Sequence, residues 1–199
     1  MKKDPQMQYI DLTHTFTAQM PVFPGDDAAE LKENLNEKGI CGFHLSTGMH
    51  VGTHMDAPLH MLPGTKKLSD FPPEKFIGTA ILIDDQSNSI PEDDFDIVLL
   101  NTGFHHKFNT PEYYTDYPEI SEELAHKLTQ LNIKMVGMDT PSPDRAPYKI
   151  HKILLKHEIL IIENLTNLDL LPKTPFKLYA LPAKFKAEAA PVRVVAEIE

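Results

Sequence analysis

Three imidazoles and a carboxylate fall within the eleven residues His50-Val-Gly-Thr-His54-Met-Asp56-Ala-Pro-Leu-His60, and no other stretch limits the fold as tightly. Imidazole nitrogen and carboxylate oxygen are the donors that zinc and similar divalent first-row ions share. Burying so many ionisable groups side by side is costly unless an opposite charge compensates them. A helix would put His50 and His54 on one face but turn Asp56 and His60 away from it, and Gly52, Thr53 and Pro58 all oppose a helix. In an extended chain the even positions 50, 54, 56 and 60 point to one side, with Gly52 between them leaving room for an ion or a substrate. The expectation is a strand that runs into a turn at Pro58, with His50, His54 and Asp56 around a metal and His60 set slightly apart, free to move protons.

With the ligands defined, composition narrows the partners. The formal charge of −10 repels nucleic acid and anionic membrane surfaces, so a small molecule is the expected partner. Cys41 is the only cysteine, which excludes an intrachain disulfide and a cysteine-based zinc cluster. Neither Cys41 nor any serine sits in a nucleophile-elbow motif, which disfavours a serine or cysteine hydrolase. The N-terminal residues lack the apolar core of a signal peptide and no stretch approaches the roughly 20 apolar residues that span a bilayer, so a cytoplasmic protein is expected. At 199 residues, 41% of them hydrophobic, the chain suits one domain over 1–199.

The remaining pattern places that segment in an α/β domain with a mixed sheet and flanking helices. Strands are expected at 8–14, 43–49, 79–83, 95–100, 134–138, 159–162, 176–182 and 192–198, with a short helix within 68–76. Residues 27–40 read as a helix or a solvated loop. Ser121 can cap a helix that buries Leu124, Leu128 and Leu131, and a second helix is expected over 146–157. His105 and His106 could be ligands, but they lie in an aperiodic stretch running to Tyr117, and an exposed loop or lid is the preferred reading. His44 reads as structural, Asp139 as a turn former or a support behind a ligand rather than a ligand itself, and His157 as an ordinary helix C-terminal histidine. Glu163 directly follows the most apolar strand, at the strand end where α/β sheets place ligands.

The His50–His60 segment resembles the His-x-Gly-Thr-His-x-Asp-x-Pro-x-His signature of the metal-dependent cyclase family, which includes the bacterial kynurenine formamidases (arylformamidases) and, more distantly, isatin hydrolase. Shorter matches extend along the chain: Asp11-Leu-Thr, Met20-Pro-Val-Phe-Pro-Gly25, Asn101-Thr-Gly103, Asp139-Thr-Pro-Ser142, Glu163-Asn-Leu165 and Pro191-Val-Arg193. The resemblance implies a swivelling β/β/α fold, homodimers or homotetramers, and two divalent ions, zinc or manganese, that activate water against an amide carbonyl. It assigns His50, His54 and Asp56 to one ion, Asp56 as a bridge, and His151 with Glu163 to the second, with His60 as proton carrier. It also sets Phe23 in the substrate wall, where formamidases commonly carry tryptophan. The implied activity is hydrolysis of a small-molecule carbon–nitrogen amide bond, N-formylkynurenine or a related aryl formamide. The alternatives are a cyclic-amide or lactone hydrolase of the same family, and a binding protein that metal merely stabilises; a closed structural site would have no use for His60.

Overall fold

The computed structural model describes residues 7–36, 38–84, 90–91 and 94–198. Residues 1–6, read above for a signal peptide, lie outside them. Four apolar runs form the parallel strands β5 (Ile77–Asp84), β6 (Ile97–Asn101), β7 (Met135–Met138) and β8 (Leu160–Glu163), in spatial order β5-β6-β7-β8. Val98 pairs with Val136, and Val136 with Ile161. Both faces of these strands are covered, which is why their sequences are continuously apolar rather than alternating.

Two eight-residue helices cover one face. Helix α1 (Glu122–Thr129) begins where the Ser121 hydroxyl accepts the Leu124 amide at 3.1 Å, and α2 (Lys149–Lys156) packs beside it. Leu124, Leu128, Leu154 and Leu155 meet Val98, Val136 and Ile161 there. The other face is filled by antiparallel strands. Short β1 (Gln8–Asp11) and β4 (His54–Asp56) pair with β10 (Ala189–Ile198), and β9 (Phe176–Pro182) joins β5 to β10. Because β10 pairs with β4 through Ala189–Pro191 and with β9 through Val192–Glu197, the sheet closes into a barrel-like ring around Met55, Leu99, Leu160, Ile162, Leu178 and Val194.

Three expectations need correction. Within residues 27–40 the chain forms a strand where a helix or loop was expected: Glu30–Leu35 (β2) pairs antiparallel with Cys41–Ser46 (β3), an outlying hairpin that leaves Leu35, Phe43 and Leu45 exposed. His44 lies on this exposed hairpin. The stretch from Phe104 to Tyr117 is not an exposed lid: it folds into two 3-10 turns whose Tyr113 and Tyr117 are buried, because both hydroxyls reach buried backbone carbonyls. The 68–76 segment likewise makes two 3-10 turns, Leu68–Asp70 and Pro73–Phe76, instead of one helix.

Candidate metal centre

The strand that carries the centre is only three residues long. β4 is hydrogen-bonded between β8 and β10, with His54 opposite Glu163, so His54 and Asp56 share one face of a central strand. His50 does not continue that strand, contrary to the extended reading: residues 47–53 turn, and His50 reaches back from this turn. Gly52 adopts φ +68° there, and a Cβ would stand 2.8 Å from Met20 Cε, so its smallness serves backbone geometry and close packing rather than room for a ligand. His60 comes from the opposite side, at the end of the 3-10 turn Pro58–His60 that the proline opens.

All five side chains from which metal ligands were expected converge. His50 Nδ1 lies 3.0 Å from Asp56 Oδ1, and His54 Nε2 lies 3.6 Å from that oxygen and 3.2 Å from Glu163 Oε2. His151, on the inner face of α2, brings Nε2 to 3.3 Å from Glu163 Oε1 and 3.8 Å from Asp56 Oδ2. The His60 ring sits 4.2 Å from that of His50 and 5.7 Å from that of His151. Donor atoms gather in two sets that share Asp56: His50, Asp56 and His60, and His54, Asp56 and Glu163, each set within 4.8 Å.

Neighbouring groups orient the rings. His54 Nδ1 donates to the Gly52 carbonyl at 2.8 Å, a group that can only accept, which leaves Nε2 as the nitrogen that faces the carboxylates. Asn164 Nδ2 donates to the same carbonyl at 3.0 Å and its Oδ1 accepts the Tyr113 hydroxyl at 2.8 Å. Asp144 accepts His151 Nδ1 and the Ile150 amide, each at 2.6 Å, which fixes His151 and the start of α2 together. Sequence reasoning missed Asp144 as well as Glu188, whose Oε1 is 3.5 Å from His50 Nε2. Neither carries a spacing signal, because both reach the centre from loops joined to it only by the fold.

The electrostatics demand positive charge at this point. Burial opposes protonation of His54 and His151, yet Asp56 and Glu163 beside His54 lift it to about 9, and Asp144, Glu163 and Asp56 lift His151 to about 10. For Asp56, the pull of His50, His54 and His60 overcomes burial and lowers its pKa. His60 goes the other way: burial and the facing His50 and His151 lower its pKa despite Asp56, so it is neutral near pH 7. Buried His54 Nε2, both Asp56 oxygens and Glu163 Oε1 have no hydrogen-bond partner among the described residues. Buried polar atoms are rarely left so, and a divalent ion with nitrogen and oxygen ligands suits this donor set.

A cavity of about 260 Å³ opens onto the centre, with His50, His60, His151 and Glu163 on one side. Phe23 and Tyr114 form an opposing wall, their rings edge to face at 5.6 Å, and Tyr148 lines it further out. The cavity suits one small ring rather than a polymer. Asp139 is buried away from the cavity, holding Thr102 and His105, as a structural role requires.

Comparison with known proteins finds relatives over most of the chain. Residues 10–145 match the Cyclase family, described as "Putative cyclase". A protein named kynurenine formamidase from Bordetella avium (strain 197N) is 31% identical over 202 residues, covering 93% of this chain and 95% of that protein. Among solved structures, isatin hydrolase A from Labrenzia aggregata superposes with a TM-score of 0.83 at 25% identity, covering 96% of this chain and 94% of the other. A "predicted metal-dependent hydrolase" from Bacillus stearothermophilus gives 0.80 at 26% identity, covering 96% and 98%.

Proposed function

From a chain that belongs to the Cyclase family, we propose a metal-dependent hydrolase that cleaves the carbon–nitrogen amide bond of a small molecule, an aryl formamide such as N-formylkynurenine. The observation that carries this reading is the set of buried His54, Asp56 and Glu163 atoms that lack hydrogen-bond partners among the described residues, beside a small cavity that Glu163, His50, His60 and His151 line. His50, His54 and Asp56 would hold one ion, and His151 with Glu163 a second, Asp56 bridging; zinc and manganese both accept such donors. Asp56 belongs to both donor sets, which supports its place between two ions, although those sets group His60 with His50 and His54 with Glu163. Bound ions would polarise the carbonyl and make water a nucleophile near neutral pH.

The chain's own residues supply the rest. Phe23 and Tyr114 would flank an aryl group, leaving the amide toward His60. His60, neutral and half-buried beside Asp56, can take the proton from the attacking water and return it to the leaving nitrogen, so no covalent intermediate is needed. A cyclic amide is the second reading, favoured by the superposition on isatin hydrolase A. Self-association into dimers or tetramers is part of the proposal, supported by the exposed apolar hairpin with Leu35, Phe43 and Leu45.

The test pairs two variants. His60→Ala should keep metal and lose turnover of an aryl formamide by about a hundredfold or more, the scale of general acid–base catalysis, whereas His54→Ala should lose both. Full activity in His60→Ala would refute the proton role, and loss of metal would make His60 a ligand. A metal-loaded protein inert toward aryl formamides, cyclic amides and lactones alike would be a binding protein.

A further inference from the structure

Outside this centre, a second group of metal-donor side chains sits at the ends of β6, β7 and β8. His105 lies in the 3-10 turn Phe104–Lys107 that follows β6, Asp139 directly follows β7, and Asp169 lies in the 3-10 turn Leu168–Leu170 after β8. The C-terminal ends of parallel strands are where open α/β sheets gather ligands. None of these residues, nor His106, lines the cavity described above.

The arrangement has the layered order of a metal site. Asp139 is fully buried; its Oδ1 accepts the Thr102 amide at 3.0 Å and the Thr102 hydroxyl at 2.7 Å, and its Oδ2 accepts His105 Nδ1 at 3.0 Å. With Nδ1 donating to a carboxylate, His105 directs the lone pair of Nε2 outward, the orientation that a carboxylate–histidine pair gives a ligand. That Nε2 is 3.4 Å from Asp169 Oδ1, and the His106 ring lies 4.0 Å from the His105 ring. One donor atom from each of His105, His106 and Asp169 falls within 4.8 Å of the others. A tetrahedral ion with bonds of roughly 2.1 Å needs donors roughly 3.4 Å apart, a closure that the exposed His106 and Asp169 can make by side-chain rotation.

We propose that His105, His106 and Asp169 form a separate divalent-cation site of the zinc class, with Asp139 orienting His105 and solvent completing the coordination. The ion would tie the turn after β6 to the turn after β8. The first of these turns leads into Tyr113 and Tyr114, but the ion itself would stand outside the cavity.

Zinc titration against a chromophoric chelator tests this on the intact protein, comparing the wild type with His106→Ala and Asp169→Asn. Both positions are exposed, so neither variant threatens the fold as a change at buried His105 would. Each variant should bind one zinc fewer per chain than the wild type, and a His54→Ala/His106→Ala double variant should lose both contributions additively. The count stands whether or not the protein hydrolyses an amide. Where hydrolysis is measured, the two single variants should retain the wild-type rate within about twofold. An unchanged zinc count in either variant, or a zinc loss that takes hydrolysis with it, would overturn the proposal.

Discussion

Replacing Asp144 with asparagine perturbs the centre without touching a proposed ligand. Its two carboxylate oxygens each take one buried donor, His151 Nδ1 and the Ile150 amide, both at 2.6 Å. An amide has a single acceptor oxygen, so Asp144→Asn leaves one of the two donors facing an NH2 group. A hydrogen bond to a charged group contributes about 1.5–3 kcal/mol and an unmet buried donor costs about 1–3 kcal/mol, so unfolding free energy should fall by about 2–3 kcal/mol. His151 also loses the first partner that holds its pKa near 10, and with it the fixed orientation of Nε2 toward Glu163. Metal affinity should then drop about 10- to 100-fold, the usual effect of removing a group that orients a ligand. Denaturant unfolding of the metal-stripped protein reads the first quantity and chelator competition the second. A variant with wild-type stability and wild-type metal affinity would refute the assignment of Asp144 as the support of His151.

The metal-stripped protein should lose thermal stability as pH rises from 7 to 10. His54 and His151 are raised to about 9 and about 10 from an unfolded value near 6.5, so their stabilisation is complete below about 6.5 and disappears as pH passes through the raised values. Asp56 and Glu163, lowered on folding, act at the acid end and do not offset this loss. A melting temperature flat from pH 7 to 10 would contradict that account. Light scattering should find dimers or tetramers at micromolar concentration, and a strict monomer would refute self-association.

Much of the sheet was legible because burial leaves a pattern. β5 to β8 announced themselves as apolar runs, and α1 by its Ser121 cap and the Leu124 and Leu128 stripe. Strand β3 was expected in part within 43–49, but its partner β2 escaped because nearly all of its residues are exposed, so no alternation marks it. In the His50–His60 segment the residues were legible but not their conformation: simple alternation describes only His54 to Asp56, since Gly52 turns the chain before it and Pro58 after it. His105 was read as exposed because its buried partner, Asp139, lies 34 residues further on and only sheet pairing brings the two together.

The central claim is that divalent metal at the His54, Asp56 and Glu163 site drives amide hydrolysis. Its most direct test is to strip the protein with a chelator, then return zinc or manganese in measured increments while following hydrolysis of an aryl formamide. The account predicts that stripped protein is inactive and that activity returns in proportion to ion bound, wild type recovering and His54→Ala not. Undiminished hydrolysis by protein shown to be metal-free, or equal recovery in His54→Ala, would contradict it.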